Sequence, residues 1–133
     1  VSAAVLQQPI GIVEDNRVAF ANMWRDWAQE LAARRAELDP QTLEAFGTRM
    51  WDGEFVLTVS REQVRSQATP LLVLPGIDDF HPNAIGHEVA RLASNAEVVE
   101  PWKDTPAHIQ AAVERVRAFL RERTPAVEAG HAV

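Results

Sequence analysis

The sequence predicts a mixed α/β domain built on parallel strands, and three observations carry that prediction. Pro70-Leu-Leu-Val-Leu-Pro-Gly76 is a four-residue aliphatic run between prolines, the pattern of a strand covered on both faces. Apolar residues recur at spacings of three and four along several longer segments, the stripe of a helix that buries one side. Between residues 70 and 121 these segments alternate as strand, loop, helix, strand, helix, a βαβα order whose parallel strands require a right-handed crossover.

Taken from the start, Val1 to Leu6 is short, apolar and β-compatible, and Pro9 and Gly11 close it, which predicts a buried core strand. The chain opens at this strand without a methionine, so it is expected to be part of a longer protein. From about Asn16 to Arg35 the residues Phe20, Met23, Trp24, Trp27 and Leu31 form one helical stripe. Asp39-Pro40 supplies an N-cap followed by proline in the first helical turn. A second helix then carries Leu43, Phe46 and Met50 and ends near Trp51-Asp-Gly53. Ser60 and Gln63 fit a capping box that opens a short connecting helix around Val64. After the Pro70 to Gly76 strand and an acidic loop, Ile85, Val89 and Leu92 give a helix opening at Pro82-Asn83 and broken by Ser94-Asn95. Ala96 to Trp102 is the third expected strand. Thr105-Pro106 repeats the cap-plus-proline signal before a last helix with Ile109, Ala112, Val113, Val116 and Leu120 on its stripe. The periodicity stops at Thr124, and residues 125–133 are expected to form a flexible tail. The organisation is therefore a core strand and loop at 1–13, a helical insertion at 14–68, and a C-terminal βαβα part at 69–124.

Composition narrows the function classes. The 133 residues are 47% hydrophobic and 24% charged, in the range of one globular domain. A net charge of −6 with scattered basic residues disfavours nucleic acid or an anionic membrane as the main partner, since both recruit clusters of Lys and Arg. No apolar run approaches the roughly 20 residues that span a bilayer. Zero cysteines exclude disulfides, thiolate metal sites and a cysteine nucleophile. A cytoplasmic location is the default expectation, with no cofactor.

Loops at the carboxyl ends of parallel strands gather reactive groups, and Gly76-Ile-Asp-Asp-Phe-His81 occupies such a position. A buried aliphatic strand running into a glycine turn, carboxylates, a proline and a helix resembles the segment of α/β hydrolases that presents the acid of a Ser-His-Asp triad. The elements that follow strengthen the resemblance: an amphipathic helix, a short strand with Val98 and Glu100, and a closing helix ending in Val-Arg-Ala-Phe-Leu120. The resemblance implies a partial α/β-hydrolase fold, the last three strands of a larger parallel sheet with flanking helices and residues 16 to 68 as the variable cap. It also makes Asp78 the favoured catalytic acid and Asp79 the second, because that carboxylate must orient an imidazole and stabilise the imidazolium formed in proton transfer.

Two departures accompany it. The nucleophile elbow Gly-x-Ser-x-Gly is absent, since none of Ser2, Ser60, Ser66 and Ser94 lies between two such glycines. The catalytic histidine of the family would fall near Trp102-Lys103, where none stands; His108 is nearest and becomes the candidate base, expected within the first turn of the last helix. The plainer account of Asp78 and Asp79 is that they cap the turn and the following helix against its dipole. Phe80 and His81 join the substrate-contacting set, with loop structuring as the plain role of His81. Trp24, Trp27 and Trp51 are either the core of the cap or the wall of an apolar pocket, and in the second case they favour a substrate with an apolar body. No spacing among Asp78, Asp79, His81 and His87 matches a known metal site, and His87 is expected on a solvated helix face beside Glu88 and Arg91.

These expectations combine into two functions. The first is the C-terminal portion of an α/β-hydrolase-like protein that cleaves an ester, amide or related bond when full-length and is inactive alone, its nucleophile lying on other sequence. The second is a non-catalytic member of the same fold that binds a small ligand or a protein. In either case the edge of the Val1 to Leu6 strand is expected to pair with the missing N-terminal half or with a second copy.

Overall fold

A computed structural model of the chain describes residues 1–124, and the expected tail and His131 lie outside the described residues. Three parallel strands form one sheet in the order β1-β2-β3: β1 (Ala4–Gln7), β2 (Leu71–Leu74) and β3 (Ala96–Val98). Among the described residues five α-helices accompany them: α1 (Arg17–Arg34), α2 (Pro40–Trp51), α3 (Arg61–Ser66), α4 (Asn83–Leu92) and α5 (Pro106–Arg123). The α/β class and the three parallel strands expected from the sequence are both present.

β2 is central and buried along its whole length, and its side chains alternate between two cores. Leu71 and Val73 face α3 and α4 through Val64, Ile85 and Val89, with Phe55 completing that cluster. Leu72 and Leu74 face α5 through Ala112 and Phe119. The register Ala4↔Leu71↔Ala96 carries the same alternation into the neighbours, so Val5 joins the α5 side and Leu6 the α4 side.

The outer strands differ in extent from the expected spans, and the prolines beside β2 explain why. Pro70 has no N–H, so the β1 ladder starts only where Ala4 N donates to Pro70 O, leaving Val1 and Ser2 exposed. β3 ends at Val98, with one further bond from Val99 N to Val73 O, because β2 runs into Pro75 and β3 itself into Glu100-Pro101. Helix starts follow the local chemistry. Asp39 accepts from the backbone of Gln41 and Thr42, Ser60 and Gln63 form the reciprocal capping box, and Thr105 accepts from His108 N.

α1 and α2 form a hairpin set apart from the sheet: no residue of either helix belongs to the two core clusters. Its own packing is aromatic, with Trp24 against Trp27 at 4.9 Å and against Phe46 at 5.4 Å. Among the described residues no helix is long and apolar enough to cross a membrane.

Candidate functional site

The carboxyl end of the sheet gathers the polar side chains. β2 runs through Pro75 into Gly76, where the chain folds back so closely that a Cβ at Gly76 would stand 2.2 Å from the carbonyl oxygen of His81. Only glycine tolerates that approach. The fold-back delivers Asp78 and His81 to each other: His81 Nδ1 lies 2.7 Å from Asp78 Oδ1, which also accepts from the backbone N–H groups of Phe80 and His81. The hydrogen bond from the His81 side chain, chiefly, holds the Asp78 carboxyl below its ordinary range. One carboxylate oxygen of Asp78 thus both caps the turn and holds the His81 ring.

The loop is tied down from the side by a residue that the sequence pattern gave no reason to single out. Asn16 is 3% exposed; its Oδ1 accepts from Val13 N, while its Nδ2 donates to Gly11 O at 2.8 Å and to Asp79 O at 2.6 Å. One buried amide thus clamps the loop after β1 to the loop after β2. Asp79 contributes this backbone carbonyl, and its side chain is exposed without a hydrogen bond among the described residues. Phe80 turns inward and meets Phe20 edge-on at 5.0 Å, and Phe20 in turn stacks on Trp51 at 4.7 Å.

His108 stands in the first turn of α5, its backbone N–H bonded to Thr105 and its Nδ1 4.0 Å from Asp104 Oδ2, beyond hydrogen-bond reach. Among the described residues that Nδ1 has no hydrogen-bond partner, and His108 makes no hydrogen bond to Asp78, Asp79 or His81. Asp78 and His81 are thus brought together, while Asp79 and His108 stay apart from the pair.

A second carboxylate and imidazole meet nearby. Glu100, just past β3, accepts from Asn83 Nδ2 at 2.6 Å and faces His87 Nε2 at 2.7 Å, so the first turns of α4 are pinned to the β3–α5 connection. His87 is exposed, as its helical position suggested, yet paired across elements. The relevant signal is that Asn83 and His87 are four apart at the start of α4 and so share a face. Between the loops after β2 and β3 lies a crevice of about 330 Å³ walled by Ile77, Trp102 and Lys103. Trp102 Nε1 donates to Pro75 O, and Lys103 Nζ donates to Gln8 Oε1 at 2.6 Å, so the three strand ends are cross-linked. Gln8 itself sits at φ 50°, a strained value that bends the chain away at the end of β1.

The indole side chains fall elsewhere. Trp24 and Trp51 line a larger trough between α1 and α2, and Trp27 packs on Trp24 from outside, half exposed. Among the described residues no three His, Cys, Asp or Glu side chains converge as a metal site. Three of the four serines are occupied structurally: Ser60 caps α3, Ser66 donates to Gln63 O, and Ser94 donates to Gln67 O. Compared with protein-family models, curated proteins and solved structures, the chain matches none.

Proposed function

We propose that this chain is the C-terminal portion of an α/β-hydrolase-like protein that hydrolyses an ester, amide or related bond, contributing the acid and base but not the nucleophile. The observation that carries the reading is the Asp78–His81 pair at the carboxyl end of the central strand. With Nδ1–H donated to the carboxylate, His81 Nε2 keeps its lone pair and can take a proton from a hydroxyl, while Asp78 offsets the charge of the resulting imidazolium. His81 is the better base than His108, which lacks a carboxylate within hydrogen-bond reach. The serine would come from sequence outside this chain, so the chain alone is inactive. Its partners in this proposal are a small apolar substrate and, at the outer edge of β1, the N-terminal half of the protein or a second copy, in a cytoplasmic setting.

The test is hydrolysis of a chromogenic ester by the longer protein. Asp78→Asn and His81→Gln are each expected to lower kcat by roughly 10²- to 10⁴-fold, with His108→Gln near wild type. Unchanged rates in the first two would end the catalytic reading and leave Asp78 as a turn cap. A second reading, a non-catalytic small-ligand binder, is favoured by the α1–α2 trough of about 640 Å³, within the size range of ligand sites.

A further inference from the structure

The trough between α1 and α2 has a shape, a charge balance and a polarity of its own. Along α1, Ala21, Ala28 and Ala32 recur at spacings of seven and four, so a row of methyl groups lines one wall. On α2, Gly47 admits the Trp24 indole, which lies so close that a Cβ at this position would stand 2.0 Å from Trp24 Nε1. The lining follows α1 from Arg17 to Ala32, a length of about 22 Å at helical rise. One extended alkyl chain can follow a lining of that length, whereas a compact ring system fills only part of it.

The lips carry opposite charges: Arg17 and Arg25 on the α1 side, Glu44 and Asp52 on the α2 side. Their fields offset each other, so a ligand with net charge gains nothing there to compensate for its lost hydration. The two ends also differ. At one end Trp51 stacks on Phe20, and Phe20 meets Phe80, the residue before His81; the lining of the other end reaches Ala32 and Pro40.

We infer that the trough takes the single extended alkyl chain of an uncharged ester, with the ester group at the Trp51 end and the chain terminus toward Ala32. The alkyl body follows from the trough itself; its direction, with the ester at the Trp51 end, rests on the hydrolase reading. Because this chain carries no nucleophile, binding can be measured without turnover, by tryptophan fluorescence titration with methyl octanoate, methyl decanoate, methyl dodecanoate and the decanoate anion. Affinity is expected to rise roughly two- to fourfold per added methylene until the trough is full. Decanoate is expected to bind at least about tenfold more weakly than its methyl ester. Ala28→Leu, about 16 Å along α1 from Arg17, stands where the dodecanoate chain ends, so it should erase the gain from octanoate to dodecanoate and leave methyl octanoate unchanged; Ala21→Phe, near the ester end, should weaken all three esters, with helicity by circular dichroism as the folding control. Absence of saturable binding, equal affinity for ester and anion, or a chain-length gain that survives Ala28→Leu would overturn the inference. These outcomes are separate from the Asp78→Asn assay, which can fail while alkyl binding stands, and the reverse.

Discussion

Asn16 shows how a single side chain can set a site it never touches. Its amide joins Val13 N, Gly11 O and Asp79 O in a buried setting, and no apolar residue of similar size can replace those three bonds. Asn16→Leu leaves these backbone groups without their partner and is expected to cost roughly 2–4 kcal/mol in urea denaturation, since each buried orphan costs about 1–3 kcal/mol. If the clamp also positions the Asp78–His81 loop, the same variant lowers kcat of the longer protein more than it raises KM. Asp78 makes a second prediction at this scale. Its carboxyl is held low in the folded state, chiefly by the His81 hydrogen bond, so the unfolded chain binds more protons across the acid range. Stability from this group is full above the unfolded pKa and is lost as pH falls through the lower, folded one. Urea midpoints for Asp78→Asn measured from neutral into acid should therefore fall less steeply with decreasing pH than those of wild type. The residual slope comes from Glu37, Asp39, Glu88 and Glu97, whose carboxyls are also held low, chiefly by hydrogen bonds from Arg35, Thr42, Arg61 and Arg115 respectively.

At the scale of elements, the boundaries follow local signals closely. Ser60→Ala, which removes one half of the α3 capping box, is expected to cost about 1 kcal/mol in the same denaturation assay. The caps of α2, α3 and α5 were legible because Asp39, Ser60 and Thr105 satisfy backbone donors within three residues of themselves. β2 was legible because a covered strand needs only an aliphatic run with breakers at its ends, and Pro70 and Pro75 supply them. The same prolines shorten β1 and β3, an effect invisible along the chain because it acts through the ladder, sideways from one strand to the next. The Asp78–His81 contact lay within reach of a local reading, three residues apart around a glycine turn. Glu100 with His87, Lys103 with Gln8 and Asn16 with Asp79 are separated by 13, 95 and 63 residues, and no periodicity encodes the register that joins them.

At the scale of the molecule, the sheet is covered on both faces, with α3 and α4 on one and α5 on the other, but among the described residues it is closed at neither edge. The hairpin adds a third body whose aromatics pack largely on one another and which reaches the rest through the Asn16 bonds at the start of α1 and the contact of Phe20 with Phe80. That contact has a consequence in time. A unit absent from both core clusters can open without unfolding the sheet, so hydrogen exchange under native conditions should separate the chain into two cooperative units. Amides of β2 should exchange only with global unfolding, and those of α1 and α2 at a lower free energy. Phe80→Ala should lower protection of the hairpin further while leaving β2 near its wild-type value; equal protection throughout would mean that the chain opens as one. In such a molecule the carboxylate–imidazole pair is expected to hang from the slowest-exchanging strand, while the walls of the trough part and reseat many times between global unfolding events.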